Sequence, residues 1–141
     1  MSDPISGQHL VVLGAGFAAL STVREVRKHD RHVRITVIAP RAELHYLPGI
    51  IWIPCGLRAR EDLVVPLHNF FQRMNVQFIQ AEVQGLAEQG RVVLTTAGPV
   101  RNDALVIGTG GRFIKKLPGI EHAITPCEGI AAAEQIRDRL K

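Results

Sequence analysis

A glycine pattern near the start of the chain is the first feature with chemical meaning. A G-x-G-x-x-A pattern is formed by Gly14-Ala15-Gly16-Phe17-Ala18-Ala19. In this pattern the first glycine permits a tight turn, the second lets the backbone approach a pyrophosphate, and the small last residue lets a helix pack closely. Unpaired amides and the positive end of the helix dipole then attract the phosphates.

The residues on either side of this pattern predict the context that such a site needs. His9–Leu13 is a short apolar run that predicts a buried strand, and Phe17–His29 has helical spacing. Arg34–Ala39 is β-branched and apolar, which predicts a second buried strand. Together they form a strand–helix–strand unit of about 30 residues, the usual size of a right-handed parallel crossover. A purely structural turn is the less favoured interpretation of the glycines.

The end of the second predicted strand lacks a feature that dinucleotide sites usually have. An acidic side chain normally accepts hydrogen bonds from the adenosine ribose there, but Ala39 and Pro40 have no side-chain acceptor. Arg41 follows, and the nearest carboxylate, Glu43, comes four residues late. Arg41 would suit a 2′-phosphate, which leaves NADP open as an alternative ligand.

The remaining chain predicts an α/β domain of Rossmann-like type. A central parallel sheet would carry helices on both faces, with a small antiparallel hairpin or meander inserted. The segment 40–60 lacks periodicity and is rich in Pro, Gly and large apolar residues, which favours a functional loop. The further predicted elements are a helix at Pro66–Met74, strands at Val76–Ile79, Ala81–Leu86, Arg91–Thr96 and Ala104–Ile107, and a terminal helix at Glu128–Leu140.

Composition excludes several classes of protein. The chain has 141 residues, 46% of them hydrophobic and 21% charged, which predicts one globular domain over 1–141. The net charge of +4 is spread evenly along the chain, so it does not indicate a nucleic-acid partner. No signal peptide or membrane-spanning segment is evident, and the six histidines show no metal-ligand spacing. A cytoplasmic or peripheral membrane location is expected.

Four groups of residues resemble one family of flavoproteins. The chain is similar to sulfide:quinone oxidoreductases and to the flavoprotein subunit of flavocytochrome c sulfide dehydrogenases, within the pyridine nucleotide–disulfide reductase superfamily. The matching residues are Val11–Ser21, the loop containing Leu47, Pro48, Trp52 and Gly56, the strand and turn Leu105–Gly110, and Cys127 before the terminal helix.

This resemblance implies FAD as the cofactor, bound in extended form. It implies Cys127 as a redox cysteine that accepts sulfide sulfur at the start of a helix, and sulfide and a quinone as the partners. It also implies further domains beyond residue 141, with any membrane contact and the quinone site located there, so that the segment alone would be inactive; a homo-oligomer is compatible with this. The residues it assigns to the cofactor are Gly14, Ala15, Gly16, Phe17, Ala18, Ala19, Ala39, Pro40, Arg41, Pro48, Trp52, Thr109 and Gly110.

Two other functions remain open from the sequence. The first is an NAD(P)H-dependent flavin reductase such as a type II NADH dehydrogenase. The second, from a different class, is a stand-alone dinucleotide-binding module without catalysis. For Cys127 a small hydrophobic packing role competes with the redox role, and Cys55 is expected to pack in the core or within its loop.

Overall fold

The computed structural model describes residues 7–111 and 114–140. These residues form two compact units. The larger unit holds the described residues up to Leu44 together with Pro66–Gly110. The smaller unit holds His45–Val65 and the described residues after Gly110.

Nine strands and three helices are present in the described ranges, together with several short 3-10 turns. In chain order the strands and helices are β1 (His9–Leu13), α1 (Phe17–His29), β2 (Arg34–Ala39), β3 (Glu43–His45), β4 (Val64–Pro66), α2 (His68–Arg73), β5 (Val76–Gln80), β6 (Val83–Ala87), β7 (Val92–Thr95), β8 (Gly98–Arg101), β9 (Ala104–Ile107) and α3 (Ile130–Arg139).

The core of the larger unit is a four-stranded parallel sheet with the order β5-β2-β1-β9. Leu13 lies opposite Ile38 on β2 and opposite Ile107 on β9, so the carboxyl ends of three strands meet at one edge. All five residues of β1 are buried, as a central parallel strand requires. The predicted α/β class with a central parallel sheet is therefore confirmed.

The two faces of this sheet are covered by different kinds of structure. Leu10 and Val12 of β1 pack with Val23 of α1 and Phe71 of α2, so both helices of this unit share one face. On the other face Val11 and Leu13 pack with residues of β7, β8 and β9. The sequence had predicted helices on both faces; in this unit the antiparallel sheet β6-β7-β8 takes the second face. Val93, which is fully buried, supplies the apolar contact that makes this possible.

The smaller unit has its own core. Ile50, Ile53 and Leu63 pack against Ile130 and Ala133 of α3. An ion pair joins Arg60 to Glu134 across 3.5 Å at the edge of this cluster. The described residues contain no helix with both the length and the apolar character needed to cross a membrane.

Candidate functional site

The predicted phosphate loop lies at the carboxyl edge of the parallel sheet. The amide of Gly14 donates a hydrogen bond to the carbonyl oxygen of Ile38, with an N–O distance of 2.8 Å. Gly14 has a φ angle of +101°, a backbone conformation that residues other than glycine rarely adopt. The loop therefore turns sharply over the end of β2 before entering α1.

A second loop supports the first from behind. The amide of Gly108, just after β9, donates to the carbonyl oxygen of Leu13 at 2.8 Å. A Cβ atom on Gly108 would lie 3.2 Å from the amide nitrogen of Ala19, which is fully buried. The sequence assigned Gly108 only to a turn beside a cofactor; its closest contacts are in fact with the phosphate loop itself. The glycines that follow β9 indicated a close backbone approach, but the sequence did not show that the approaching residues are Leu13 and Ala19, about ninety residues earlier.

The outer surface of the phosphate loop is open. A Cβ atom on Gly16 would meet no other atom within 4 Å, and Ala18 is exposed. Gly16 is the N-cap of the 13-residue helix α1 and supplies no side-chain cap to the first-turn amides. Open space, helix amides and the positive end of the dipole fit a bound pyrophosphate.

The end of β2 is the next predicted contact point. Ala39 is buried, whereas Pro40 and Arg41 are exposed. The guanidinium Nε of Arg41 lies 3.9 Å from a carboxylate oxygen of Glu43. Thr109 and Gly110, which follow Gly108, are exposed, and they belong to the same unit as Arg41 and the phosphate loop.

The other predicted site residues belong to the smaller unit. Pro48 and Trp52 lie in a 3-10 turn over Leu47–Trp52, and Trp52 is 47% exposed. The turn packs tightly on Leu63 at Gly49, since a Cβ atom there would lie 2.6 Å from a methyl carbon of Leu63.

Cys127 is the third predicted site residue of the smaller unit. It lies in a separate 3-10 turn, Pro126–Glu128, which contacts the turn Leu47–Trp52. Its thiol is free and exposed, and its amide donates to the hydroxyl of Thr125 at 3.3 Å. The expectation that Cys127 opens the terminal helix is wrong. Gly129, with a φ angle of +120°, separates the turn from α3, which begins at Ile130.

Charges close to Cys127 are paired. The carboxylate of Glu128, the next residue, lies 2.9 Å from the ammonium of Lys115. The exposed thiol therefore has a local environment in which the neighbouring negative charge is offset by a cation.

Cys55 has a different setting in the same unit. It is exposed and lines an open groove of about 650 Å³. Arg58, Asp62 and Arg137 contribute charged groups to this groove. The exposure of Cys55 does not match a packing role in a core.

Comparison with known proteins identifies the family. The family model described as pyridine nucleotide-disulphide oxidoreductase matches residues 8–141, which is nearly the whole chain. The chain belongs to this family. Family members of this kind bind FAD, so the prediction of FAD as the cofactor is confirmed, and the open phosphate loop fits it.

Two curated relatives are similar to the chain in sequence. A sulfide-quinone reductase of Aquifex aeolicus is 29% identical over 119 residues, covering 84% of this chain and 28% of the relative. A type II NADH:quinone oxidoreductase of Staphylococcus aureus is 32% identical over 117 residues, covering 79% of this chain and 28% of that relative. The chain thus spans less than a third of the curated relatives that it matches.

Solved structures agree with this assignment. The sulfide:quinone oxidoreductase from the hyperthermophilic bacterium Aquifex aeolicus matches with a TM-score of 0.86 and 27% identity, over 95% of this chain and 32% of that one. The NDH2 of Plasmodium falciparum in complex with NADH matches with a TM-score of 0.77 and 18% identity, over 92% and 28%. The first match confirms the predicted resemblance to sulfide:quinone oxidoreductases, and the second shows the shared fold.

Proposed function

We propose that the chain forms the FAD-binding part of a flavoenzyme that oxidises sulfide and passes the electrons through FAD to a quinone. The observation that carries the proposal is the open loop at Gly16, backed by Gly108 and opening α1 at the carboxyl edge of a parallel sheet. This is where dinucleotide pyrophosphates bind in sheets of this type. The similarity to the Aquifex aeolicus sulfide-quinone reductase supports sulfide as the substrate.

Each predicted site residue has a role in this proposal. The backbone of Gly14–Ala19 holds the pyrophosphate, and Ala39–Arg41 border the adenosine. Thr109 offers a hydroxyl, and Gly110, with a φ angle of +73°, lets the backbone approach the flavin end. Pro48 and Trp52 supply apolar surface for the flavin ring, since a half-exposed indole is suited to stacking.

The redox chemistry belongs to the cofactor, which accepts two electrons from reduced sulfur and gives them to a quinone. In the overall reaction sulfide loses two electrons and becomes zero-valent sulfur, and the quinone takes up two electrons and two protons. Cys127 presents an exposed thiol whose sulfur would bond to the sulfide sulfur as a persulfide, with two protons released and the two electrons passed to the bound FAD. The chain alone lacks the length of its relatives, so we propose that it binds FAD without turning over sulfide. In this proposal quinone binding and any membrane contact are made by protein outside this segment.

A second candidate function rests on a separate observation. The type II NADH:quinone oxidoreductase of Staphylococcus aureus is 32% identical, slightly more than the sulfide-quinone reductase. Under this alternative NADH would replace sulfide as the electron donor, and Cys127 would have no redox role. The two candidates share the FAD loop and the quinone, and they differ in the electron donor and in the role of Cys127.

Two experiments test the proposal. The first is titration of the 141-residue chain with FAD, NAD and NADP, followed by flavin fluorescence or calorimetry. We expect FAD to bind best; NADP binding without affinity for FAD would favour the stand-alone module. The second uses a form of the protein extended to the length of its relatives, mixed anaerobically with sulfide or with NADH. Loss of the visible flavin absorbance with sulfide alone is the expected result, whereas reduction by NADH alone would select the second candidate.

A further inference from the structure

The edge of the parallel sheet opposite the phosphate loop gathers positive charge. Three segments lead into β2, β5 and β9 at this edge, namely 25–34, 73–75 and 101–103. The turn 88–91 lies beside the third, since the amide of Asn102 donates to the carbonyl oxygen of Arg91 at 2.9 Å. We call these four segments the amino edge. They hold seven Lys or Arg and four Asp or Glu side chains, so they carry a formal charge of +3 out of +4 for the whole chain. The charge is spread evenly along the sequence, and folding brings it together.

His9 and its neighbours hold one side of the amino edge together. Arg34 donates to Nδ1 of His9 at 2.7 Å, and the amide of His9 donates to the carboxylate of Asp103 at 2.7 Å. The guanidinium of Arg91 donates to the carbonyl oxygen of the same Asp103. Direct hydrogen bonds therefore join the starts of β1, β2 and β9 and the turn before β7.

On the other side, Arg27 joins the segment before β2 to the segment before β5. Its guanidinium donates to the carbonyl oxygens of Val33 at 2.7 Å and of Met74 at 2.7 Å. The four segments are thus cross-linked, so the cations of the amino edge extend from a fixed surface.

Most cations of the amino edge face solvent. Six of the seven are exposed, namely Lys28, Arg31, Arg34, Arg73, Arg91 and Arg101. Lys28 is paired with Glu25 at 2.6 Å, and Arg101 is paired with Glu88 at 3.0 Å. The side chain of Arg31 has no hydrogen bond or ion pair within the described part of the chain. Exposed ion pairs hold their partners weakly, so these cations remain available to a binding partner.

Two features of the amino edge favour an acidic protein as its partner. Six of its seven cations are Arg, whose planar guanidinium forms paired hydrogen bonds with carboxylates and is enriched at protein interfaces, where Lys is depleted. The large hydrophobic side chains that are exposed among the described residues all lie outside the four segments. Surfaces that bind lipid bilayers combine cations with apolar side chains that enter the acyl boundary. A charged, Arg-rich surface without such side chains is better suited to the carboxylates of a protein.

We propose that the amino edge is a docking surface for an acidic protein. Its charge steers such a partner toward the chain and raises the association rate. The phosphate loop lies at the other edge of the sheet, so the partner and FAD can be bound together. Docking at this edge does not depend on FAD and lies outside the proposed sulfide chemistry.

The test compares two double variants that have the same net charge. Arg31→Glu with Arg73→Glu reverses two exposed cations of the amino edge. The control, Arg58→Glu with Lys116→Glu, reverses two exposed cations of the smaller unit. Binding of a fluorescent polyglutamate peptide is measured by anisotropy at physiological ionic strength, and each fold is checked by circular dichroism. Sedimentation with vesicles of phosphatidylcholine and phosphatidylglycerol provides a second probe.

We expect the unsubstituted chain to bind polyglutamate, with little binding to the vesicles and with the same affinity in the presence of FAD. The amino-edge variant should bind the peptide at least about tenfold more weakly, because attractive charges are lost at the contact itself. The control should stay within about threefold, since charges beyond the Debye length of about 8 Å are largely screened. If a charge reversal disturbs the fold, Gln replaces Glu at the same positions in both double variants.

Three results would overturn the proposal. If both double variants lose affinity equally, binding follows the net charge and the amino edge is not its site. If the unsubstituted chain binds the vesicles and not the peptide, the partner is an anionic membrane. If it binds neither probe, the amino edge is no docking surface. None of these results bears on FAD binding, which the nucleotide titration tests separately.

Discussion

Gly14 and Gly108 pack backbone against backbone: a Cβ atom on Gly14 would lie 2.4 Å from the carbonyl oxygen of Gly108. The two glycines come from loops that follow adjacent parallel strands, β1 and β9. Their contact means that the phosphate loop has a rigid backing on one side and open space at Gly16 on the other. Substitution by alanine is therefore expected to have different effects at Gly14 and at Gly16.

Gly14→Ala should impair folding. The new methyl group would collide with the Gly108 carbonyl, and alanine is disfavoured at a φ angle of +101°. We expect the free energy of unfolding to fall by about 2–5 kcal/mol. Urea denaturation followed by circular dichroism measures this change, and a loss below about 0.5 kcal/mol would show that the loop can rearrange.

Gly16→Ala should leave the fold intact and impair binding. Its φ angle of −84° is allowed for alanine, and a Cβ atom meets nothing within 4 Å. We expect stability within about 1 kcal/mol of the original, from the weaker N-cap. FAD affinity should fall at least about tenfold, because the methyl group takes the space needed by the pyrophosphate. Unchanged FAD affinity would place the phosphates elsewhere.

We expect Arg27 to be important for the stability of the fold and not for FAD binding. Its guanidinium donates to the carbonyl oxygens of Met74 at 2.7 Å, Val33 at 2.7 Å and Asn75 at 2.9 Å, which ties the end of α1 to the segments that precede β2 and β5. Arg27→Lys cannot make this fork of bonds, so we expect a loss of about 2 kcal/mol. Thermal denaturation measures it, with Arg24→Lys on the exposed side of α1 as the control. Equal melting temperatures for the two variants would contradict this role.

The buried side chains of His9 and Thr36 form the middle of a chain of polar contacts across the parallel sheet. Its Nδ1 accepts from Arg34 at 2.7 Å, so its Nε2 donates to the Thr36 hydroxyl at 2.7 Å. Thr36 in turn donates to the side chain of Gln77 at 3.4 Å. Burial, reinforced by the Arg34 guanidinium, lowers the pKa of His9, against weaker opposing effects of the Arg101 backbone and of Asp103. The neutral ring is the form that this arrangement favours.

Stability should therefore decrease as the pH falls below about 6.5, the ordinary histidine pKa. Below that pH the unfolded chain takes up a proton at His9 while the folded chain does not, so the free energy of unfolding falls. The contribution is at most about 1.4 kcal/mol per pH unit. Denaturation at several pH values measures the slope. His9→Gln should reduce it and the exposed His122→Gln should not; equal slopes in both variants would exclude His9 as the source.

The two exposed cysteines provide a matched pair for the redox proposal. In a form of the protein extended to the length of its relatives, Cys127→Ser should slow sulfide-dependent flavin reduction by at least about a hundredfold, since a hydroxyl is a far weaker sulfur acceptor. Cys55→Ser, at the separate groove, should leave the rate within about twofold. Stopped-flow absorbance measures both rates. Comparable rates for the two variants would remove Cys127 from the mechanism.

The sequence was most informative where structure depends on neighbours in the chain. β1, α1, β2 and β9 have the bounds predicted from apolar runs and helical spacing. The phosphate loop lies at the strand ends as expected, because a glycine pattern between a strand and a helix is a local signal.

Two of the missed features depend on how the strands pair, and the other two are local features of the backbone. β8 was not predicted because it contains Pro99, and a proline is tolerated there only because β8 is an edge strand of its sheet. β3 is three residues long, too short for periodicity to reveal. The packing role of Gly108 required knowledge that β9 lies beside β1. The later start of α3 depends on the positive φ angle of Gly129.

The pairing of β1 with β9 also has a consequence for biosynthesis. The amide of His9 bonds to the carboxylate of Asp103, a partner 94 residues later, and Gly108 follows at the end of the same strand. A nascent chain on the ribosome thus carries its nucleotide loop long before the strand that backs it has been translated. Because Gly108 backs that loop, we expect the loop to reach its final conformation only after β9 has emerged from the exit tunnel.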